Sequence, residues 1–271
     1  MVFAFIDELS AASVSGHAHE LAAAGRVRQR YLDRLAAELL AGAPLDQLLA
    51  SAEQADWKPP KTLSAVLLPE AEIRKLTALF TQEALQASLD VSEVDAGEPM
   101  AAVLVPDADG QQRQRVLDAM TGSRVIVGPS RQWWTVKSSY LRALRTRALA
   151  AHGPGVVDTE DHLVDLVLSA DHDAIADLRR RVLAPLAGLR PSTAERLAET
   201  LRAWVLHLGR RDAVADSLFV HPQTVRYRMT QLRDFYGDRL DDPAAVLEIT
   251  VALGLTGARQ PLVATPPASI R

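Results

Sequence analysis

The sequence predicts an α+β protein, mostly helical, in which a small α/β domain precedes a helical bundle ending in a helix-turn-helix. Two observations predict it. Short apolar runs alternate with helical patterns between residues 61 and 152. Further on, two helical stretches joined by a short turn end in His221–Tyr236, HPQTVRYRMTQLRDFY, which divides into an apolar and a polar side on a helical wheel. At 271 residues the chain is long enough for two or three domains and a sizeable core.

The expected order begins with a helical segment over residues 1–57. In it Val27, Tyr31, Leu35 and Leu39 recur at helical spacing and Gly42 suits the position after the helix end. Leu45, Leu48, Leu49 and Ala52 predict a second, short helix beyond Pro44. The breaker WKPPK, Trp57–Lys61, leads into the α/β domain, residues 61–152. Its expected strands are Leu63–Leu68, Met100–Val105 and Arg124–Val127. Its expected helices are Ala71–Leu89, Gln111–Thr121 and Trp134–Ala151. After Gly153–Gly155, Thr159–Ser169 and Ala174–Leu186 predict connecting helices within residues 156–190. The helix-turn-helix domain is expected over 191–258. A Pro-rich tail, 259–271, is expected to be disordered.

The net charge of −4 excludes a protein coated with cation, yet the basic charge is concentrated locally. Between Leu201 and Leu240 stand Arg202, Arg210, Arg211, Arg226, Arg228, Arg233 and Arg239 against Asp212, Asp216, Asp234 and Asp238. With no cysteine there are no disulfides, thiolate metal sites or cysteine nucleophiles. No signal peptide or span-length apolar run is read, so a cytoplasmic location without membrane contact is expected.

On the wheel, Val225, Met229, Leu232 and Tyr236 form the inner side of the last-named helix. Gln223, Arg226, Tyr227 and Thr230 lie opposite, with Thr224 and Arg228 on one flank and Arg233 on the other. Pro222 suits the first turn. Ahead of it, Ala213–Leu218 is a short helix with Asp212 as its expected N-cap, and Leu218 and Val220 bracket the turn. A polar face of long donors flanked by cations fits base edges and phosphates of double-stranded DNA. A solvated αα-hairpin has the same outline, so the pattern alone leaves both open.

The run Thr200–Trp204 (TLRAW), Leu218–His221 (LFVH), Thr224–Arg228 (TVRYR) and Leu240–Pro243 (LDDP), followed by an apolar helix, resembles the C-terminal DNA-binding domain of the PucR/CdaR family of bacterial transcription regulators. Met229 stands where that family usually has Leu or Ile, and Ser217 where Ala is common. The resemblance implies a sequence-specific DNA-binding regulator. The DNA-contact candidates are Arg211, His221, Gln223, Thr224, Arg226, Tyr227, Arg228, Thr230 and Arg233. Arg226 is assigned to base reading, Arg228 to phosphate, and His221 first to capping the helix.

The segment before it is similar, through element order and RVIVGPS, to the degenerate GGDEF-like domain of the same family. A cyclase of that class needs a Gly-Gly pair to grip phosphate, and the sequence has none. No catalysis, cofactor or metal is therefore expected. The first residues, FAFIDELS, resemble the tail of a helical sensor module found in longer relatives. Asp107–Gly110 (DADG) is read as a turn, because a calcium loop would need Glu at the place of Asp118. His152, His162 and His172 do not share a helix face and are read as solvated. Of Trp133 and Trp134, one is expected in the core and one at the surface. Asp241 and Asp242 are read as an N-cap and a first-turn carboxylate.

The remaining expectations are assembly and effector. One helix-turn-helix per chain implies a homodimer or higher homo-oligomer on two half-sites, with a small-molecule effector as a further partner. The surface expected to pair is the upstream helix around Tyr31, Leu35 and Leu39. The alternatives are a helical scaffold that binds only protein, and a catalytically inactive nucleotide- or effector-binding signalling protein.

Overall fold

The computed structural model describes residues 25–80, 83–88, 99–149 and 155–254. FAFIDELS, His152 and the tail after residue 258 lie outside them. The described chain forms two compact units, one ending at His162 and the other starting at Leu163.

The first unit is a mixed sheet with helices on both faces. Helix α1 spans residues 25–41 and α2 spans Leu45–Gln54. Then follow β1 (Thr62–Pro69), α3 (Ile73–Thr77), β2 (Leu85–Ser88), β3 (Met100–Pro106) and α4 (Gly110–Ala119). The unit closes with β4 (Val125–Val127), β5 (Arg131–Gln132), α5 (Lys137–Leu149) and β6 (Val156–Asp158). Strand order is β2-β3-β1-β4-β6, with β5 paired to β1. All pairs are antiparallel except β4 with β6.

Strands β1 and β3 are apolar runs because both of their faces are covered. Side chains alternate with period two. Leu63, Ala65 and Leu104 turn to the face covered by α1, α2 and Trp133, and Leu67, Ala102 and Ile126 meet α5 on that side. Val66, Leu68, Val103 and Val105 meet α3 and α4 on the other. Gly128 explains part of RVIVGPS. A Cβ there would collide with Ser139 Oγ and lie 2.8 Å from the Ala65 carbonyl, so α5 approaches β1 only over glycine.

Three expectations need correction. The helix expected over Ala71–Leu89 stops at Thr77, and Leu85–Ser88 is instead an edge strand against Leu104–Ala101 of β3. Ladder pairing overrides the helical propensity of EALQAS. Val156–Asp158, placed with the connecting helices of 156–190, is a strand parallel to β4. Leu35 and Leu39, expected at a dimer surface, are fully buried against the chain's own sheet, and only Val27 and Tyr31 of that stripe are exposed.

The two tryptophans divide as expected. Trp133 is buried and Trp134 exposed, at 6.0 Å and 84° to each other. The bond from the Thr62 N–H to Asp107 Oδ1, 2.9 Å, accounts for the DADG turn.

The second unit is all helical: α6 (Leu163–Leu168), α7 (His172–Leu183), α8 (Pro191–Leu206), α9 (Arg211–Ser217), α10 (Pro222–Tyr236) and α11 (Pro243–Leu253). Its core joins Val182, Leu197, Leu201, Val214, Val225, Met229, Leu232, Ile249 and Leu253. Asp242 caps α11, accepting from the Ala244 and Ala245 N–H groups at 3.2 Å. At the other end of α11, Arg179 and Arg202 donate to the carbonyls of Ala252 and Leu253, where cations complement the helix dipole.

Tyr236 ends α10 in this core, and its hydroxyl donates to the Val182 carbonyl at 2.9 Å. Burial pushes its phenol up to about 12, with Arg239 pulling weakly the other way. A phenol whose folded pKa is raised contributes stability that is whole below its unfolded value near 10 and lost as pH climbs through the folded one. Thermal melts between pH 8 and 12 are therefore expected to show an alkaline loss in this unit. Tyr236→Phe should flatten that loss and cost about 1 kcal/mol at neutral pH, for the bond to Val182. An equal alkaline loss in both proteins would refute it.

Candidate nucleic-acid interface

The short helix α9 and the longer α10 are joined by Leu218–His221. Leu218 and Val220 pack against the core while Phe219 between them is exposed. Asp212, expected as the N-cap of α9, stands in its first turn instead. The N-cap place belongs to Arg210, with no side-chain cap. His221 does cap α10, its Nδ1 accepting from the Gln223 N–H at 3.2 Å. Pro222 then fills the first helical position, where no N–H partner is needed.

The wheel's inner side matches the buried residues of α10: Val225, Met229, Leu232 and Tyr236. On its outer side Gln223, Arg226, Tyr227 and Thr230 are all exposed or half-exposed, and Thr224 is half-buried. Their contacts are local. Thr230 Oγ1 donates to the Arg226 carbonyl at 3.1 Å, and Gln231 Nε2 donates to the Tyr227 hydroxyl at 3.3 Å. The guanidinium of Arg226 extends from a face with no acid until Asp234.

The flanking cations are held differently. Arg228 donates through Nη1 to Thr200 Oγ1 of α8 at 3.2 Å. Thr200, fully buried, donates its own hydroxyl to the Arg196 carbonyl at 2.8 Å. Arg233 lies over the ring of Trp204, 5.8 Å from its centroid. Arg239 stands 3.8 Å from Glu248. With Arg202 bonded at the end of α11, four of the seven arginines counted in the sequence thus have partners on another element of the bundle. Arg211 pairs with its exposed neighbour Asp212, at 3.4 Å.

The structure therefore brings Gln223, Arg226, Tyr227 and Thr230 together on one open helix face, preceded by His221, with Arg211 at the start of α9. It turns Arg228 and Arg233 toward α8. Two exposed residues of the helix-turn-helix were not among the sequence candidates, Arg210 ahead of α9 and Phe219 in the turn before α10. For Phe219 the signal was three consecutive apolar residues in one turn, of which only alternate ones can face inward.

Comparison with known proteins adds the following. Residues 197–255 match the PucR C-terminal helix-turn-helix domain. An uncharacterised protein in the pkwA 5' region of Thermomonospora curvata is 30% identical over 166 residues, which is 59% of this chain and 89% of that one. An uncharacterised protein of Mycobacterium tuberculosis is 32% identical over 145 residues, 51% of this chain. The chain spans 34% of the length of that relative. A solved regulator of polyketide synthase expression from Bifidobacterium adolescentis aligns over 83% of this chain and 91% of its own, at 18% identity and a TM-score of 0.35.

Proposed function

The chain belongs to the family that carries the PucR C-terminal helix-turn-helix domain, and from that premise we propose that it is a cytoplasmic, sequence-specific DNA-binding transcription regulator of the PucR/CdaR type. The observation that carries this reading is the division of α10 into a fully buried apolar side and an open side of Gln223, Arg226, Tyr227 and Thr230. A helix so divided enters the major groove with its polar side while the domain behind it stays folded. Arg226 reads a base edge through its paired donors. Arg211 and Thr224 meet phosphates, and His221 sets the start of the helix. Arg228, bonded to Thr200, orients α10 against α8, and Arg233 borders the groove from its place over Trp204.

The first unit is a degenerate GGDEF-like domain that relays a small-molecule signal without turning over nucleotide. Two copies of the chain bind two half-sites about one helical turn apart. The buried state of Leu35 and Leu39 moves their contact away from that part of α1.

The test is a mobility shift on genomic fragments selected by the wild-type protein, beside random duplex. Arg226→Ala is expected to cost about 1–3 kcal/mol on the selected fragment and to relax preference at one base pair. Its effect on random duplex is expected to be small. Arg228→Ala is expected to weaken both alike, because it loosens the seat of α10. Equal losses for Arg226→Ala on both duplexes would contradict the face assignment. No shift with any fragment would favour a protein-binding scaffold.

A further inference from the structure

Phe219 occupies the turn between α9 and α10 at a cost to the fold. Its φ is +53°, and the residue is 95% exposed. The turn closes α9 with the pair of bonds of a left-handed stop, the Val220 N–H to the Ala215 carbonyl at 3.0 Å and the Phe219 N–H to the Asp216 carbonyl at 3.2 Å. Glycine takes this conformation without strain, as Gly42 does after α1, whereas a residue with a Cβ is strained there. The ring returns nothing to the core, since Leu218 and Val220 on either side supply the packing. A bulky apolar residue held out at a strained position points to an interaction outside the chain.

The surroundings say which one. The turn runs directly into the N-terminus of α10, with His221 and Arg226 exposed beyond it. Arg210 and Arg211 are exposed at the start of α9, and Asp212 and Asp216 are the acids of that helix. Asp216 is the exposed charge nearest the turn on α9, and Arg210 and Arg211 lie at the far end of that helix, so the ring's place is set by α10. An apolar ring on the turn that leads into a helix face bearing Arg226 suits a polyanion that also presents apolar surface, which describes the sugar–phosphate backbone of DNA. With the first turn of α10 in the groove, the residues just ahead of it lie against the strand that borders the groove.

We propose that Phe219 is a DNA-contact residue whose ring lies against the deoxyribose backbone at the edge of the groove that α10 enters. This rests on the reading of the chain as a DNA-binding protein. A backbone contact carries no sequence information, so Phe219 adds affinity for every duplex, while Arg226 adds it for one sequence.

The experiment is fluorescence anisotropy of the full chain on a labelled random-sequence duplex of about 30 base pairs, long enough for two half-sites. A genomic fragment selected by the wild-type protein is titrated beside it, with a thermal melt of each variant. Phe219→Gly is expected to weaken binding to both duplexes by about tenfold, because no apolar ring remains to cover the sugars. It should also raise the melting temperature by about 2–4 °C, for the strain released. Phe219→Asn, which tolerates the left-handed conformation, should weaken binding in the same way. Phe219→Tyr, which keeps the ring, should bind within about twofold of wild type, since its added hydroxyl stays in water. Opposite signs for stability and affinity separate a DNA contact from a structural role. A Phe219→Gly protein that binds both duplexes like wild type overturns the proposal, as does one with unchanged affinity but altered oligomeric state. If wild type binds neither duplex, the DNA-binding reading itself falls and takes this proposal with it.

Discussion

Arg113→Ala is expected to destabilise the first unit by about 3–5 kcal/mol, enough to unfold much of it at physiological temperature. The guanidinium ties three pieces of chain together. It donates to Asp158 Oδ2 through Nε at 2.9 Å, to Asp158 Oδ1 through Nη2, and to the carbonyls of Gly128 and Val127 at 2.8 and 3.2 Å. The helix α4 is thereby fastened to the ends of the parallel pair β4 and β6. Burial works against the Asp158 charge, but bonds from Arg113 and from the Glu160 N–H more than offset it and hold the carboxyl below its usual range. That lowered value means the pair's contribution is present above the unfolded carboxylate pKa and fades as pH falls through the folded one. Both side chains are mostly buried, so truncating the cation strands a carboxylate that keeps only the Glu160 N–H of its three hydrogen bonds. Replacing the pair together, as Arg113→Met with Asp158→Leu, is expected to cost much less than either single change. Urea unfolding of the three variants checks this, and additive losses would contradict it.

Leu35→Asp is expected to have an effect of the same order or larger, about 4 kcal/mol or more. Leu35 is fully buried with Leu32, Leu39, Leu48, Trp57 and Leu104 around it. A carboxylate in that apolar cluster has no cation to meet, so the helix must leave the sheet or the residue must stay protonated. The expected result in sedimentation and circular dichroism is an unfolded or aggregated first unit. A stably folded protein of half the mass would instead restore α1 as a dimer surface.

What could be read from the sequence follows the length of the pattern that carries each element. The helices α1 and α10 repeat their apolar residues over several turns, and β1 and β3 are long apolar runs, so each declares itself locally. The strands β2 and β6 hold only four and three residues, and their identity comes from the partner that supplies the ladder. Leu85–Ser88 is a strand because β3 offers an open edge, which no periodicity of EALQAS can announce.

The same distinction divides the interface. Which residues of α10 face outward followed from 3.6 residues per turn. Where the arginine heads go did not, because that depends on α8, which brings Thr200 to Arg228 and Trp204 to Arg233. The exposed ring of Phe219 was hidden for another reason. Its direction is set by one backbone angle in a turn, and side-chain type favours a different angle there.

The seat of α10 has a consequence for how such a protein diverges. Its inner side is locked into the bundle through Val225, Met229, Leu232 and the Tyr236 hydroxyl, while the hydrogen bonds of Gln223 and Tyr227 stay within their own helix and its cap. Residues of the outer row can be exchanged one at a time at little cost in folding free energy. If the outer row contacts DNA as proposed, duplicated copies can drift to new targets by small mutational steps, each passing through a folded intermediate, and grafting an outer row from one copy to another becomes a route to retargeting.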